Sequence, residues 1–545
     1  MKTRGKAKGL QLVVIALLIM SLMLAACGGK STNNNPSSTP TKEGETAKDS
    51  NFNTEGFPIV KDKVKLKIAA FQTTSGKHFN DYGFFKKAEE VTNVQIDWDL
   101  NPGGSAWQEK KNLLFASSEL PEAFYGHGIL DEATDIVKYG SQGVLIPLED
   151  LIEEYAPNLK ALLEARPEIK QALTSPDGHI YSLPTMNDTY AVSKPALFIN
   201  KKWLDELGLP LPKTTEDFYQ ALSAFKKKDP NKNNTADEIP FTFLSSDWNA
   251  NLASFFGSFG LLDRRDHIIV NDDKVVYTAV QPEYKAAIEY FNKMFKEGLA
   301  DPESFTQDKN LFTAKISQNN MIGAFMAWNY DSVGLPEDHD FVPLEPLAGP
   351  NGDQMWAGFQ PGILFKGSFA ITSANKNPEV TIRWIDYMFD PLVSIQAVHG
   401  MIGTNLIEQA DGTFKVAQAP EGKTSAEFRE SPETSRTVYA QTKEMQEKII
   451  NERQVKMPKT ELDDLYGPYL VYNEFPKVYM TVEENSELTR YKTDIGTYVE
   501  KMYAQWMLNG GIETEWDGYV QQVNKMGLDR MIAIYQQAYD RYKTN

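Results

Sequence analysis

Cysteine is all but missing from this chain: Cys27 is the only one in 545 residues. No disulfide can form within it, so the fold must rest on ordinary packing. Histidine is scarce too, and the six present stand singly, with no His-x-x-x-His pair to hold zinc. A Gly-x-Ser-x-Gly elbow and a phosphate-cradling Walker loop are both lacking. With 74 acidic residues, pairs such as Asp97/Asp99 or Asp263/Asp266 arise by chance. Their spacing in sequence says nothing about the separation a glycosidase needs. There is no basic excess: net charge is −18, and −22 once the leader cations Lys2, Arg4, Lys6 and Lys8 are removed. That balance excludes nucleic acid or anionic lipid as a partner held by charge alone. No internal repeat of about 20–50 residues is visible, which excludes solenoids and propellers.

What is present begins at the N-terminus. Four cations precede an apolar run from Leu12 to Ala26, broken only by Ser21. Fifteen residues fall short of the ~20 that cross a bilayer core, so residues 1–26 read as a signal peptide. No later stretch approaches a membrane span. Leu24-Ala25-Ala26-Cys27 resembles the bacterial lipobox, which implies cleavage before Cys27 and diacylglycerol on its thiol. A membrane-anchored protein on the outer face of the cell membrane is expected. Gly28 to Ser50 holds no aromatic or large aliphatic side chain, so it cannot support a core. Residues 27–56 are expected as a disordered tether reaching a few nanometres.

The remaining body is too long for one core and suits two domains. Val64, Leu66 and Ile68 alternate with lysines, the period-two signature of a strand. A helix around Phe84–Val91, a strand at Val94–Trp98, a helix ending at Leu113–Phe115 and a strand leading from Pro121 follow. That alternation predicts an α/β lobe with helices on both sheet faces. A second unit repeats the theme: strand Pro195–Ile199, helix Lys201–Leu207 closed by Gly208, and a helix capped by Thr214 with Asp217. Strands are predicted at Met321–Ala327 and Ile363–Ile371. At the C-terminus Ile495, Tyr498, Val499, Met502 and Trp506 share one helix face, and Trp516, Tyr519, Val520 and Val523 another.

Four segments, taken in order, carry a family likeness. They are Ser117–Glu122, Asp177–Pro184, Leu197–Leu204 (an LxYNKxxL-like stretch) and Trp516–Arg541. Together they resemble the extracellular solute-binding proteins of ABC importers, in the branch related to maltose-binding and alginate-oligosaccharide-binding proteins. The resemblance implies an α/β fold of two discontinuous lobes joined by a hinge, with extra C-terminal helices and ligand held between the lobes. We expect residues 57–190 and 362–420 in the N-terminal lobe, and 191–361 and 421–545 in the C-terminal lobe. Crossings are expected near Asp188–Pro195, Glu345–Pro361 and Gly403–Pro420, with Pro343, Pro346, Pro350 and Pro361 stiffening the second. Such lobes close on a ligand by a hinge.

Two groups of side chains carry chemistry. From Asp229 to Glu238, oxygen-bearing residues recur at every second position, and calcium takes six to eight oxygen ligands. Asp229, Asn231, Asn233, Asp237 and Glu238 could offer side chains and Thr235 its carbonyl. The spacing follows an EF-hand loop for nine positions, then departs: Asn234 replaces the glycine and Pro240 the final glutamate. Asn tolerates the left-handed turn, and Glu238 could replace the missing carboxylate. The alternative is a solvated, Asn-rich helix exit. The alginate-binding relatives imply a structural calcium here.

The second group is aromatic. Sugars present flat apolar C–H faces ringed by hydroxyls, so their sites pair stacking rings with polar groups. Trp328 ends a strand, where the maltose-binding resemblance implies a stacking tryptophan; Trp248, beside Asp247, matches another ring. Trp356, Tyr125, His127 and Gln72 complete the candidates, although aromatics more often bury area for stability. The expected ligand is an oligosaccharide or glycan fragment, delivered by a monomer to a transmembrane permease, with no catalysis. A lipid-anchored carbohydrate-active enzyme and a peptide-binding protein are the competing readings.

Overall fold

A computed structural model describes residues 51–117, 119–188, 195–318, 320–336, 338–358, 362–450 and 459–544. Cys27, the leader, most of the tether and most of the first expected crossing lie outside the described residues.

Val64–Phe71 is a strand because Leu66 and Ile68 face the core while Lys65 and Lys67 face water. Its last four residues are buried on both sides, so the alternation gives way to a continuous apolar run. It is flanked by Val94–Asn101 and Ala123–Tyr125, both parallel to it. The sheet has six strands in the order Ala440–Gln441, Leu183–Asn187, Gly362–Ile371, Ala123–Tyr125, Val64–Phe71, Val94–Asn101. Gly362–Ile371 enters antiparallel between two strands that come from much earlier in the chain. The helices Gly83–Thr92 and Pro378–Met388 cover the sheet with Phe84, Phe85, Trp384 and Ile385.

A second sheet runs Phe341–Leu344, Ala196–Asn200, Ile322–Ala327, Ile239–Thr242, and all four strands come from one continuous stretch. Ile322–Ala327 is buried along its whole length. The helix Thr215–Lys228 starts at a capping box in which Thr214 and Asp217 exchange hydrogen bonds, as the spacing predicts. Gly208, at φ +66°, ends the preceding turn. The C-terminal helices Val482–Asn509, Ile512–Lys525 and Leu528–Thr544 pack onto this second core. Their buried residues Ile495, Val499, Met502, Trp506, Tyr519 and Val523 belong to the faces that the periodicity marked. Among the described residues no helix is long and apolar enough to cross a membrane.

One boundary differs from expectation. Residues 421–545 were expected wholly in the second lobe, yet Ala440–Gln441 pairs parallel with Leu183–Asn187 in the first sheet. Leu406–Glu408, Phe414–Val416 and Ile449–Ile450 form a small sheet with its own core of Ile395, Leu406, Phe414 and Ile449. Gly403–Pro420 is therefore occupied by a hairpin, not a crossing. The passage to the second core falls between Ile450 and Lys459–Tyr466, whose Leu462 and Tyr466 are buried there.

Candidate functional site

Trp328 follows directly on the strand Ile322–Ala327 and is only partly buried. A tight turn fixes it. Ser332 N–H donates to Asn329 Oδ1 at 2.9 Å, and Ser332 Oγ–H donates to the Asn329 carbonyl at 2.7 Å. Tyr330, its ring tilted against Phe198 with centroids 4.6 Å apart, roots that turn in the core. Trp248 stands in the loop after Ile239–Thr242 and is 53% exposed. Its loop is closed by Leu244 N–H donating to the Ala250 carbonyl, by Ala250 N–H donating to the Asp247 carbonyl, and by Asn249 N–H donating to Asp247 Oδ1 at 2.8 Å. The two indoles meet edge to face, centroids 5.5 Å apart at 62°. Ile239–Thr242 and Ile322–Ala327 are parallel, so both rings lie beyond carboxyl ends of strands, where open α/β sheets bind ligands. The pair is held in place, with one of its rings half open to water. Asp247 also lies within 3.7 Å of Lys309 Nζ, so its carboxylate holds the loop.

The other candidates divide. Gln72 is exposed just past the strand Val64–Phe71, and its N–H donates to the Asn101 carbonyl at 3.0 Å. His127 lies two residues past Ala123–Tyr125 and stacks on Phe365 at 3.2 Å. Burial, with the charges of Lys477 and Arg436, lowers its pKa to about 4, so the ring is neutral at pH 7. Tyr125 is a core residue, not a ligand contact. It is 0% exposed, lies among Trp98, Phe85 and Trp384, and accepts a hydrogen bond from Val438 N–H at 3.0 Å. Burial pushes its hydroxyl pKa upward.

Trp356 is likewise a core residue, 1% exposed. Its Nε1–H donates to the Pro195 carbonyl at 3.2 Å, and its ring meets Tyr466 at 5.1 Å. Tyr466 in turn accepts from Leu197 N–H at 3.0 Å, and Trp356–Ala357 pairs with Leu470–Val471. The indole thus pins together three stretches that are distant in sequence.

Around His127 the structure gathers residues that sequence reasoning missed. Arg436 lies over Phe71 at 4.9 Å, and Glu433 accepts from Thr74 N–H and Oγ–H. His127 Nδ1, Glu433 Oε2, Arg436 Nε and Glu132 Oε1 are all buried without a hydrogen-bond partner among the described residues. Buried polar atoms in native proteins are almost always satisfied, so a group of four asks for a ligand or water. Nearby, Lys366 is 4% exposed with its ammonium 3.5 Å from the Tyr479 ring, and burial lowers its pKa to about 7. These residues come from segments near 130, 365, 435 and 478, so no local motif could have announced them.

The Asp229–Glu238 loop closes on itself. Asp229, Lys232 and Asn234 all have positive φ, and Asn234 at +59° takes the left-handed turn expected of it. Asn233 and Asn231 donate their side-chain amides to Asp237, at 2.9–3.1 Å, and Asp229 accepts from Asn233 N–H and Asn234 N–H. Glu238 Oε1 is buried without a hydrogen-bond partner among the described residues, and burial, with the charges of Asp237 and Asp229 and the Asp229 carboxylate beside it, raises the Glu238 pKa. Crowded carboxylates with an orphaned oxygen fit a hard cation. Among the described residues no three His, Cys, Asp or Glu side chains are grouped tightly enough to hold a metal alone. The amide and carbonyl oxygens of Asn231, Asn233 and Thr235 would have to complete the set.

A family model described as bacterial extracellular solute-binding protein matches residues 72–391. The fructooligosaccharide ABC transporter substrate-binding protein FusA of Streptococcus pneumoniae serotype 4 is 35% identical over 547 residues, 97% of this chain and 98% of that one. The S. pneumoniae FusA structure in complex with kestose aligns at TM-score 0.73 and 34% identity, covering 88% of this chain and all of that one. An EF-hand mutant of FusA in complex with fructo-nystose aligns equally well at 33% identity, with the same coverage.

Proposed function

Because this chain belongs to the bacterial extracellular solute-binding proteins, we propose that it captures an oligosaccharide outside the cell and delivers it to the permease of an ABC importer. The Trp248–Trp328 platform carries this reading. The two sheets supply the walls of a cleft: the indole pair from the second, and Gln72, His127, Glu433 and Arg436 from the first. The rings stack on sugar faces while the orphaned atoms hydrogen-bond hydroxyls. Closure about the three connections brings the walls together. Protein residues only bind and orient here; no bond is made or broken.

Fructooligosaccharides head the ligand panel, since FusA carries that name and was solved with kestose. A thermal-shift screen of kestose, longer fructans, α-galactosides and uronic-acid oligomers against short peptides is the test. Ligand at 100 times its Kd should add ~2.7 kcal/mol to stability. A shift with peptides alone, or turnover of any glycan, would overturn the assignment.

The Asp229–Glu238 loop is a structural calcium site in this reading. Calcium neutralises Asp229, Asp237 and Glu238 at the junction of the helix Thr215–Lys228 and the strand Ile239–Thr242. A chelator should lower the melting temperature by several degrees and calcium restore it, with Asp237→Ala insensitive to both. Identical melting curves for all three conditions in the wild-type protein would refute the site.

Cys27 is the lipid anchor and residues 27–50 the tether; the expected bound of 56 is six residues too long, because Asn51–Gly56 is already tied to the first core, with Phe52 against Tyr155 at 5.4 Å and the Gly56 carbonyl accepting from Arg383. Cys27→Ser should move the protein from the membrane fraction to the medium. A variant that still sediments with membranes after a high-salt wash would mean that another anchor holds it.

A further inference from the structure

A cavity of about 440 Å³ lies on the second lobe, between the segment Leu261–Ile268 and the helix Val482–Asn509. Its size is in the range that holds a small molecule. The Trp248 loop borders it: Ser245, Ser246 and Asn251 line the cavity from the loop that presents the indole. None of its lining residues comes from the first sheet, so it is distinct from the His127 cluster.

Three observations separate this hollow from an accident of packing. Arg264 is 8% exposed and lines the cavity; its terminal nitrogens reach Glu474 and Asn473, at 2.9 and 3.5 Å, while its Nε is buried without a partner among the described residues. Gly496 lines it from the middle of the helix, where glycine costs about 1 kcal/mol relative to alanine. A Cβ there would meet nothing within 4 Å, so no protein contact calls for glycine, but an occupant approaching the helix backbone would. Asp266 and Lys492 remain accessible to water although enough protein surrounds them to raise the carboxyl pKa and lower the ammonium pKa. They line a hollow.

The chemistry of the lining names the occupant. Carboxylates (Asp263, Asp266, Glu500) and cations (Arg264, Arg265, Lys492) are equal in number. Asp263 is committed to His267 at 2.9 Å and to the Thr278 hydroxyl. A balanced wall of donors and acceptors offers an ion no net attraction. It suits vicinal hydroxyls, and the partly exposed Tyr503 adds a ring to cover a C–H face, with the buried Tyr277 and Tyr535 behind it. We propose that this cavity is a second carbohydrate pocket, sized for a mono- or disaccharide unit and bordered by the loop that carries Trp248. It rests on the proposed function for its ligand class alone.

Saturation-transfer NMR with glucose, galactose and fructose tests it on three proteins: wild type, Trp248→Ala/Trp328→Ala, and Gly496→Leu, which fills the hollow. Asp266→Ala, which leaves the hollow open but removes an acceptor, guards against a Gly496→Leu protein that fails to fold. At least one monosaccharide should bind the double tryptophan variant as it binds wild type. Its signal should fall at least tenfold in Gly496→Leu and Asp266→Ala, with melting temperatures kept. No monosaccharide signal in wild type, loss of all signal with the tryptophans, or full signal in both cavity variants would overturn the pocket. Oligosaccharide binding that ignores the tryptophans would instead sink the cleft platform and leave this result standing.

Discussion

Trp328→Ala should weaken oligosaccharide binding by about 2 kcal/mol or more, roughly thirtyfold, while the protein keeps its melting temperature. The expectation comes from where the indole stands. Its turn is held by the Asn329–Ser332 bonds and by Tyr330, none of which needs the Trp328 ring. Its neighbour Trp248 is half exposed, so truncation opens no core cavity. A stacking ring in a closing cleft loses its water on binding, and aromatic anchors in such positions carry a large share of affinity. Calorimetric titration of the variant with the best glycan from the thermal screen is the measurement. Wild-type affinity would make the ring a surface ornament; a collapse of stability would make it a core residue.

Trp356→Ala should do the reverse, destabilising the fold by about 3–5 kcal/mol. The ring is enclosed on all sides, between Phe255 and Tyr466, and its removal also strands the Pro195 carbonyl that it now bonds. Chemical denaturation compared with wild type gives the number. A stable Trp356→Ala protein with lost glycan binding would return this residue to the site where the sequence pattern had put it.

The contrast between these tryptophans shows what the sequence carries. Periodicity exposed the strand at Val64 and the C-terminal helix faces, an apolar run the strand at Ile322, and capping-box spacing the Thr214–Asp217 cap, because each depends on neighbours within one element. The family likeness and the nearby strand ends pointed to Trp328 and Trp248, and the structure sets their rings 5.5 Å apart. Trp356 and Tyr125 sit in equally suggestive positions but are enclosed by residues far away in sequence, such as Tyr466 and Trp384. Glu433 and Arg436 failed to register for the same reason in reverse: they are ordinary polar residues until the first sheet brings them to Thr74 and Phe71. The hairpin at 406–416 hid the true passage between lobes, since a turn-rich stretch looks like a connection whether or not it crosses.

The placement of Gly362–Ile371 has a consequence for the order in which the molecule forms. A nascent chain released as far as Leu344 already owns every strand of the second sheet. The first sheet at that moment is split, with Leu183–Asn187 separated from Ala123–Tyr125 by an empty lane, because the strand that joins them has not emerged. Closing that lane needs contacts across some 180 to 250 residues, the slow, entropically costly kind. The first sheet should therefore acquire hydrogen-exchange protection after the second in refolding. Truncations between 345 and 361 should leave an unpaired edge on Ala123–Tyr125 open to aggregation.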